Sequence, residues 1–499
     1  MLPRPVQDLA TNTLAFETLP MVRASGFREY DARWLFPQQI NPMGFQALGL
    51  ALGTLIHERG VRPEIVVGHD YRSYSSQVKF ALVTGLTAAG VVVRDIGLAL
   101  SPMAYFAQFE LDVPCVAMVT ASHNDNGWTG VKMGIERPLT FGPDEMSRLK
   151  DITLAGEWIA RPGGGYVFEP DFFKRYLAKL LDRPKLTRKL KVVAACGNGT
   201  AGAFAPEALS ALGCEVIPLD ADLDHSFPRY NPNPEDMEML HAIRDAVLKH
   251  GADVGLGFDG DGDRCGVVDN EGEEIFADKV GVLLARDLAK IHPRPQFVVD
   301  VKSTGLYLTD PELIATGAKT DYWKTGHSYI KRRVNELNAL VGFEKSGHYF
   351  FNKPIGFGYD DGLLSAFAVC DMLDRNLGKS MADLRRALPK TWGSPTMSPH
   401  CADEVKYDVV ADVTRAITEL RDRGEPFAGQ KIRDIATVNG IRVTCEDGTW
   451  GLVRASSNKP ELVVVVESPA SEARLHEIFR AVDEVLRRRP EVGAYNQTI

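Results

Sequence analysis

Long hydrophobic runs are missing from this chain: no stretch of its 499 residues approaches the roughly 18 consecutive apolar residues that a membrane span requires. No membrane partner is therefore expected. The first 26 residues carry Asp8, Glu17 and several prolines where a secretory signal would have a continuous apolar segment, which points to a cytoplasmic protein. Paired cysteines are missing too. The seven thiols, at 115, 196, 214, 265, 370, 401 and 445, include no C-x-x-C pair and are odd in number, which argues against a disulfide framework and against a zinc ribbon. Excess positive charge is the third absence. With 66 acidic against 57 basic side chains the net charge is −9, the wrong sign for a phosphate-backbone binder, so no nucleic-acid partner is expected. The basic runs Lys331-Arg332-Arg333 and Arg487-Arg488-Arg489 sit in helical patterns and read as solvated faces. What is present is an ordinary globular composition, 44% apolar and 25% charged, and at about 150 residues per domain the length implies about three to four domains.

The most informative organisational feature is a faint internal repeat. A β-branched run, a loop of small or polar residues, an amphipathic stretch, a glycine and a second β-rich run recur three times: residues 64–70 with Gly90 and 91–97, residues 191–196 with Gly213 and 215–220, and residues 296–301 with Gly317 and 319–323. Each unit then reaches a third strand, at 116–119, 254–258 and 339–343. Strands alternating with helical patterns read as β-α-β units with a mixed, largely parallel sheet, and ligands of such sheets collect beyond the carboxyl ends of the strands. After about residue 390 the pattern changes to a helix near 411–423, strands at 441–445 and 462–466, and a final helix whose Leu475, Ile478, Phe479, Val482, Val485 and Leu486 form one apolar stripe. The expected fold is α/β, three similar α/β domains followed by a C-terminal α+β domain, with divisions at 1–163, 164–272, 273–390 and 391–499.

The loops after the third strands carry the chemistry. Asp259-Gly260-Asp261-Gly262-Asp263-Arg264 places carboxylates at every second position between glycines, so that three oxygens can converge on one hard cation. An EF-hand is excluded, because Arg264 and Asn270 occupy the positions where its glycine and glutamate would stand. Thr120-Ala121-Ser122-His123-Asn124 puts a serine among small residues at a strand end, where a nucleophile stands exposed, with Lys132 available to an oxyanion. In Glu344-Lys345-Ser346-Gly347-His348 a carboxylate and a hydroxyl two residues apart can bond adjacent sugar hydroxyls. Arg454-Ala455-Ser456-Ser457-Asn458-Lys459, ahead of a strand, suits a phosphate dianion.

Together with FREYDAR at 27–33 and WKTGHS at 323–328, these four loops in this order resemble the α-D-phosphohexomutase family over nearly the whole chain, and most closely its bacterial phosphomannomutase/phosphoglucomutase branch. The resemblance implies a mutase that moves phosphate between O1 and O6 of a hexose, mannose and glucose being the expected sugars, through a phosphorylated Ser122 and a hexose 1,6-bisphosphate that also serves as activator. It implies Mg²⁺ held by Ser122, Asp259, Asp261 and Asp263, and a catalytic set of Ser122, His123, Lys132, Arg33, Arg264 and His327, with His123, His327 and Arg33 all open as the general base. The implied substrate contacts are Tyr30, Lys302, Thr325, Gly326, Glu344, Ser346, His348, Arg454, Ser456, Ser457 and Asn458. The competing readings are a phosphoglucosamine mutase, a metal-dependent sugar-phosphate phosphatase and a non-catalytic sugar-phosphate binder; no motif addresses the oligomeric state. A phosphatase has no use for a second phosphate clamp, and a binder none for a serine beside a lysine. Phe27-Arg28-Glu29-Tyr30 stands where relatives acting on glucosamine phosphate begin with a glycine-rich turn, which favours the mannose/glucose branch.

Overall fold

The computed structural model describes residues 2–457 and 459–499. The chain divides into two compact units, Met1–Val280 with Ser346–Asp383, and Gly281–Lys345 with Leu384–Ile499. The first unit holds two α/β sheets. In the six-stranded sheet, Glu64–His69 lies between Val92–Leu98 and Cys115–Val119 and runs parallel to both. Trp128–Gly134 then pairs antiparallel with Cys115–Val119, and Ala32–Leu35 with Trp128–Gly134. The five-stranded sheet repeats the plan. Lys191–Ala195 runs parallel to Glu215–Leu219 and Val254–Phe258, while Cys265–Asp269 returns antiparallel along Val254–Phe258. Both sheets are thus parallel at one side and antiparallel at the other. The repeat foreseen in the sequence supplies the parallel strands, and the returning strands were hidden because they lie inside the very loops that carry the motifs.

In the second unit Gln296–Asp300 is flanked by Lys319–Trp323 and Val341–Phe343, all parallel. The C-terminal sheet is antiparallel, in the order Trp392–Gly393, Leu462–Ser468, Trp450–Ala455, Ile441–Cys445, Ile432–Ala436, and is packed by helices Lys406–Asp422 and Glu472–Leu486. Five of the six residues of the expected stripe on the last helix are buried; Phe479 is partly exposed and meets the Tyr495 ring at a 58° tilt. One expectation is corrected. Lys331, read as part of a solvated basic face, is fully buried on the inner side of helix His327–Glu336, whose apolar residues Ile330 and Val334 share that side. A run of three basic residues spans most of a helical turn, so one of them must face inward. All seven cysteines are buried free thiols.

Each sheet packs its apolar face conventionally. The first core gathers Trp34, Phe45, Leu48, Leu52 and Leu82 around Ile65 and Val67, and Trp34 meets the rings of Phe27 and Phe45 edge-on. Helix Pro42–Glu58 begins at Asn41, whose side chain accepts from the Gly44 amide and donates to the Phe16 and Leu19 carbonyls, so that one buried cap joins three segments.

Candidate active site

In the first unit the serine loop and the acidic loop meet. Ser122 follows strand Cys115–Val119 and adopts a left-handed backbone, φ 52°, a conformation that a residue with a Cβ holds only when its surroundings impose it. Arg72 imposes it. Its guanidinium donates to the carbonyls of Ser122, Asn124 and Asp125 at 2.7 to 3.0 Å and is itself held by Asp70. Asp70 also accepts from the Ala121 amide, and the Ser122 amide donates to Thr120 Oγ1. Gly260 closes the approach from the other side: a Cβ at that position would stand 2.4 Å from the Ser122 carbonyl oxygen, so only glycine lets the two loops come this near.

The nucleophile candidate is then set among its partners. Ser122 Oγ donates to Asp259 Oδ2 at 3.1 Å and lies 3.3 Å from His123 Nδ1. Asp259, Asp261 and Asp263 are fully buried, with one oxygen of each inside a 4.8 Å cluster. Lys132, also buried, donates to Asp261 at 2.8 Å and to Asp263, and Ser101 Oγ donates to Asp261 at 2.6 Å. Burial, with Asp263 and Asp261 beside it, pushes the Asp259 carboxyl well above the usual range. Burial acts the same way on Asp261, but the Lys132 ammonium outweighs it and holds that carboxyl far below. Lys132 stays charged, since the pull of Asp261 and Asp263 exceeds the cost of burying it.

Three carboxyl groups face one ammonium, Lys132, and one guanidinium, Arg264, whose Nε lies 3.8 Å from Asp259, so acidic groups outnumber the basic ones in the pocket. Asp261 Oδ1 and Asp263 Oδ1 are buried with no hydrogen-bond partner among the described residues, although His348 Nδ1 stands 3.5 Å from the latter, and leaving such oxygens bare is costly unless a cation takes their lone pairs. The donor set is all oxygen, which suits a hard divalent ion.

Arg264 continues the loop, donating from Nε to His348 Nε2 at 2.9 Å, and His348 Nδ1 lies 3.0 Å from Asp360 Oδ2. The FREYDAR segment contributes Arg33, whose guanidinium bonds the Thr120 carbonyl and Asp31, and the buried Tyr30. Ser346 is buried in this unit as well.

The second unit assembles the other half of the residues expected from the sequence. Asp300, at the end of strand Gln296–Asp300, accepts from Ser303 Oγ, Thr325 Oγ1 and the Lys345 amide, and so gathers three loops at one strand end. The Gly326 amide donates to Glu344 Oε1 at 2.5 Å, and His327 opens the helix that follows. Lys302 is only 6% exposed and faces no carboxylate among the described residues. Arg454, equally buried, spends Nη1 on the Ala455 carbonyl at 2.8 Å, while its Nε has no hydrogen-bond partner among the described residues. Two buried cations in one unit, neither paired with a carboxylate among the described residues, call for anions. Ser456 is buried and Ser457 partly so; Asn458 lies outside the described residues. Lys406, which sequence reasoning passed over, sits beneath this loop and donates to the carbonyls of Ser456 and Lys459 at 2.6 and 3.0 Å.

Comparison with known proteins agrees with this layout. Four descriptions of phosphoglucomutase/phosphomannomutase match in succession: alpha/beta/alpha domain I at residues 24–159, domain II at 172–272, domain III at 276–392 and the C-terminal domain at 402–485. A phosphomannomutase/phosphoglucomutase of Pseudomonas putida is 35% identical over 474 residues, covering 93% of this chain and 96% of that protein. A phosphoglucomutase of Neisseria meningitidis is 32% identical, covering 92% and 96%. Among solved structures, a phosphoglucomutase/phosphomannomutase family protein from Burkholderia thailandensis matches with a TM-score of 0.84 at 30% identity, covering 95% of this chain and 99% of that one. On the combined weight of loop order, site geometry and full-length similarity, the chain belongs to the phosphoglucomutase/phosphomannomutase family of α-D-phosphohexomutases.

Proposed function

We propose that this enzyme interconverts the 1- and 6-phosphates of mannose and glucose by way of a phosphate carried on Ser122 and a hexose 1,6-bisphosphate. The observation that carries the reading is the placement of Ser122 Oγ 3.1 Å from Asp259 in a pocket that Lys132 only partly neutralises. Phosphoryl transfer asks little covalent chemistry of a protein and much positioning and charge balance. In the first half-reaction the bond between Ser122 Oγ and phosphorus breaks as a sugar hydroxyl oxygen forms its own, the hydroxyl proton leaves to a base, and Ser122 recovers a proton. The second half-reaction reverses this at the other end of the sugar. His123 Nδ1, at 3.3 Å, is the nitrogen assigned to hold and return the proton at Ser122 Oγ. Lys132 and Arg264 carry positive charge to the transferring group. Mg²⁺ bound by Asp259, Asp261, Asp263 and the Ser122 phosphate would supply the remaining charge neutralisation.

The second unit then has the task of gripping whichever end is not reacting. Glu344 suits a hydroxyl near the middle of the ring, Thr325 and Gly326 its edge, and Lys302 and Arg454, with Ser456, Ser457 and Asn458, the non-transferring phosphate, while Ser346, His348 and Tyr30 are the sugar contacts expected of the first unit. In this reading the divisions at 163/164, 272/273 and 390/391 give each chemical loop its own domain. A coupled assay comparing mannose 1-phosphate, glucose 1-phosphate and glucosamine 1-phosphate tests the substrate assignment: turnover of the first two is expected, and preference for the third would overturn it.

Arg454 tests the clamp. A guanidinium bonded to phosphate contributes about 1.5 to 3 kcal/mol, so Arg454→Ala should weaken phosphosugar binding roughly ten-fold to over one hundred-fold. It should also release more 1,6-bisphosphate before the second transfer. A shifted thermal midpoint with unaltered phosphosugar affinity would reduce Arg454 to a hairpin brace.

A further inference from the structure

Lys302 owes its position to residues far away in sequence. It stands in the loop 301–305, and every other residue of that loop is tied down from outside. The carbonyls on either side of it, those of Val301 and Ser303, both accept from Nη1 of Arg442 at 2.8 Å. Tyr322 donates its hydroxyl to the Thr304 carbonyl at 2.5 Å, and Glu467 accepts from Thr304 Oγ1 at 2.8 Å and from the Gly305 amide at 2.8 Å. Arg442 and Glu467 belong to two strands of the C-terminal sheet, Ile441–Cys445 and Leu462–Ser468.

The anchors are themselves locked. The Arg442 guanidinium lies over the Trp450 ring at 3.7 Å and over the Tyr322 ring at 4.5 Å, a cation between two aromatic faces. Trp450 Nε1 donates to Glu467 at 2.9 Å, and Thr391 Oγ1 donates to the same carboxylate at 2.8 Å. Arg442, Trp450 and Glu467 are all buried, and Val301 packs in one apolar cluster with Trp450, Leu452, Val463 and Val465. A planar, weakly hydrated guanidinium is the side chain suited to stacking between rings while holding two carbonyls; a lysine ammonium does only the second.

We propose that Arg442, seated on Trp450 and assisted by Glu467, is a positioning residue for Lys302: the C-terminal sheet shapes the loop that presents this buried cation to the phosphosugar. The inference rests on the assignment of Lys302 to substrate binding. It makes the C-terminal domain act at two points, through Arg454 directly and through the Lys302 loop indirectly. With Arg442 removed, the carbonyls of Val301 and Ser303 lose their common donor and Lys302 loses its fixed backbone, while the Ser122 pocket of the first unit keeps all its own contacts.

The test is a double-mutant cycle on the full-length enzyme, comparing wild type, Lys302→Met, Arg442→Met and the double variant for KM and kcat with glucose 1-phosphate, and for thermal midpoint. Methionine keeps apolar volume against Trp450 and removes the donors. Expected are a KM raised about ten-fold by either single change, a smaller change in kcat, and a double variant no worse than Lys302→Met alone, because both changes remove the same interaction. Multiplying KM effects, or an Arg442→Met enzyme of normal KM and lowered midpoint, would overturn the proposal. Should Arg442→Met fail to fold, Trp450→Phe takes its place: it keeps a ring under the guanidinium, loses the bond to Glu467, and must raise KM in the wild-type background but not in Lys302→Met. A Lys302→Met enzyme of normal KM sinks the inference at its foundation while leaving the Ser122 reaction standing, whereas a wild-type protein without mutase turnover sinks the proposed function itself.

Discussion

Ser122→Ala should lose turnover by at least about 10³-fold even with saturating hexose 1,6-bisphosphate, because the phosphate then has no protein oxygen to occupy between its two positions on the sugar. Active wild-type enzyme should carry roughly 80 Da of extra mass, one phosphoryl group, and peptide mapping should place it at Ser122. The variant should fold normally. Ser122 Oγ meets only Asp259 and His123, whereas the loop's shape comes from Arg72, Asp70 and Thr120, none of which needs the hydroxyl. Normal turnover of Ser122→Ala, or active protein lacking phosphate at Ser122, would remove the phosphoserine from the mechanism.

Changing Asp259 to asparagine should produce opposite effects on activity and stability. Asp259, Asp261 and Asp263 are crowded within 4.8 Å and fully buried, and without a bound metal ion only Lys132 and Arg264 offset their mutual repulsion. Neutralising Asp259, the member with no lysine partner and a carboxyl already pushed up by burial and its two neighbours, should leave the metal-free protein as stable as wild type or more so. Turnover should nevertheless fall at least about 100-fold, since a ligand to the charge-balancing ion is gone. Thermal midpoints measured in excess EDTA, beside initial rates with and without added Mg²⁺, check both halves. EDTA alone should silence the wild-type enzyme, and added Mg²⁺ should restore it. Full activity in EDTA would reject the metal site, and a large drop in the metal-free midpoint of Asp259→Asn would show that the carboxylate is structural.

The sequence was most legible where chemistry is concentrated in consecutive residues. TASHN, DGDGDR, EKSGH and RASSN each place several functional groups within a few positions, and the parallel strands that deliver the first three alternate with helices at a period that local reasoning detects. What stayed illegible is the support. Arg72 shapes the serine loop from 50 residues away, Ser101 reaches Asp261 across 160, and Arg442 holds the Lys302 loop across about 140. Nothing in the neighbourhood of such a residue marks it, because its role is defined by acceptors that only the folded chain brings near. Lys331 is the same failure in reverse: its neighbours Arg332 and Arg333 suggested solvent, and packing decided otherwise. Lys406 combines the two, a charged residue at the start of a helix that turns under the loop after Ala455.

The burial of every thiol makes this protein its own reporter of breathing motions. Cys115, Cys196, Cys214, Cys265 and Cys370 lie in the first unit, Cys401 and Cys445 in the second. A modifying reagent reaches a buried sulfur only during an opening of the surrounding structure, and the rate at each site follows the free energy of that opening. Labelling kinetics resolved by residue would therefore time the fluctuations of the two units separately, without introducing any foreign probe into either.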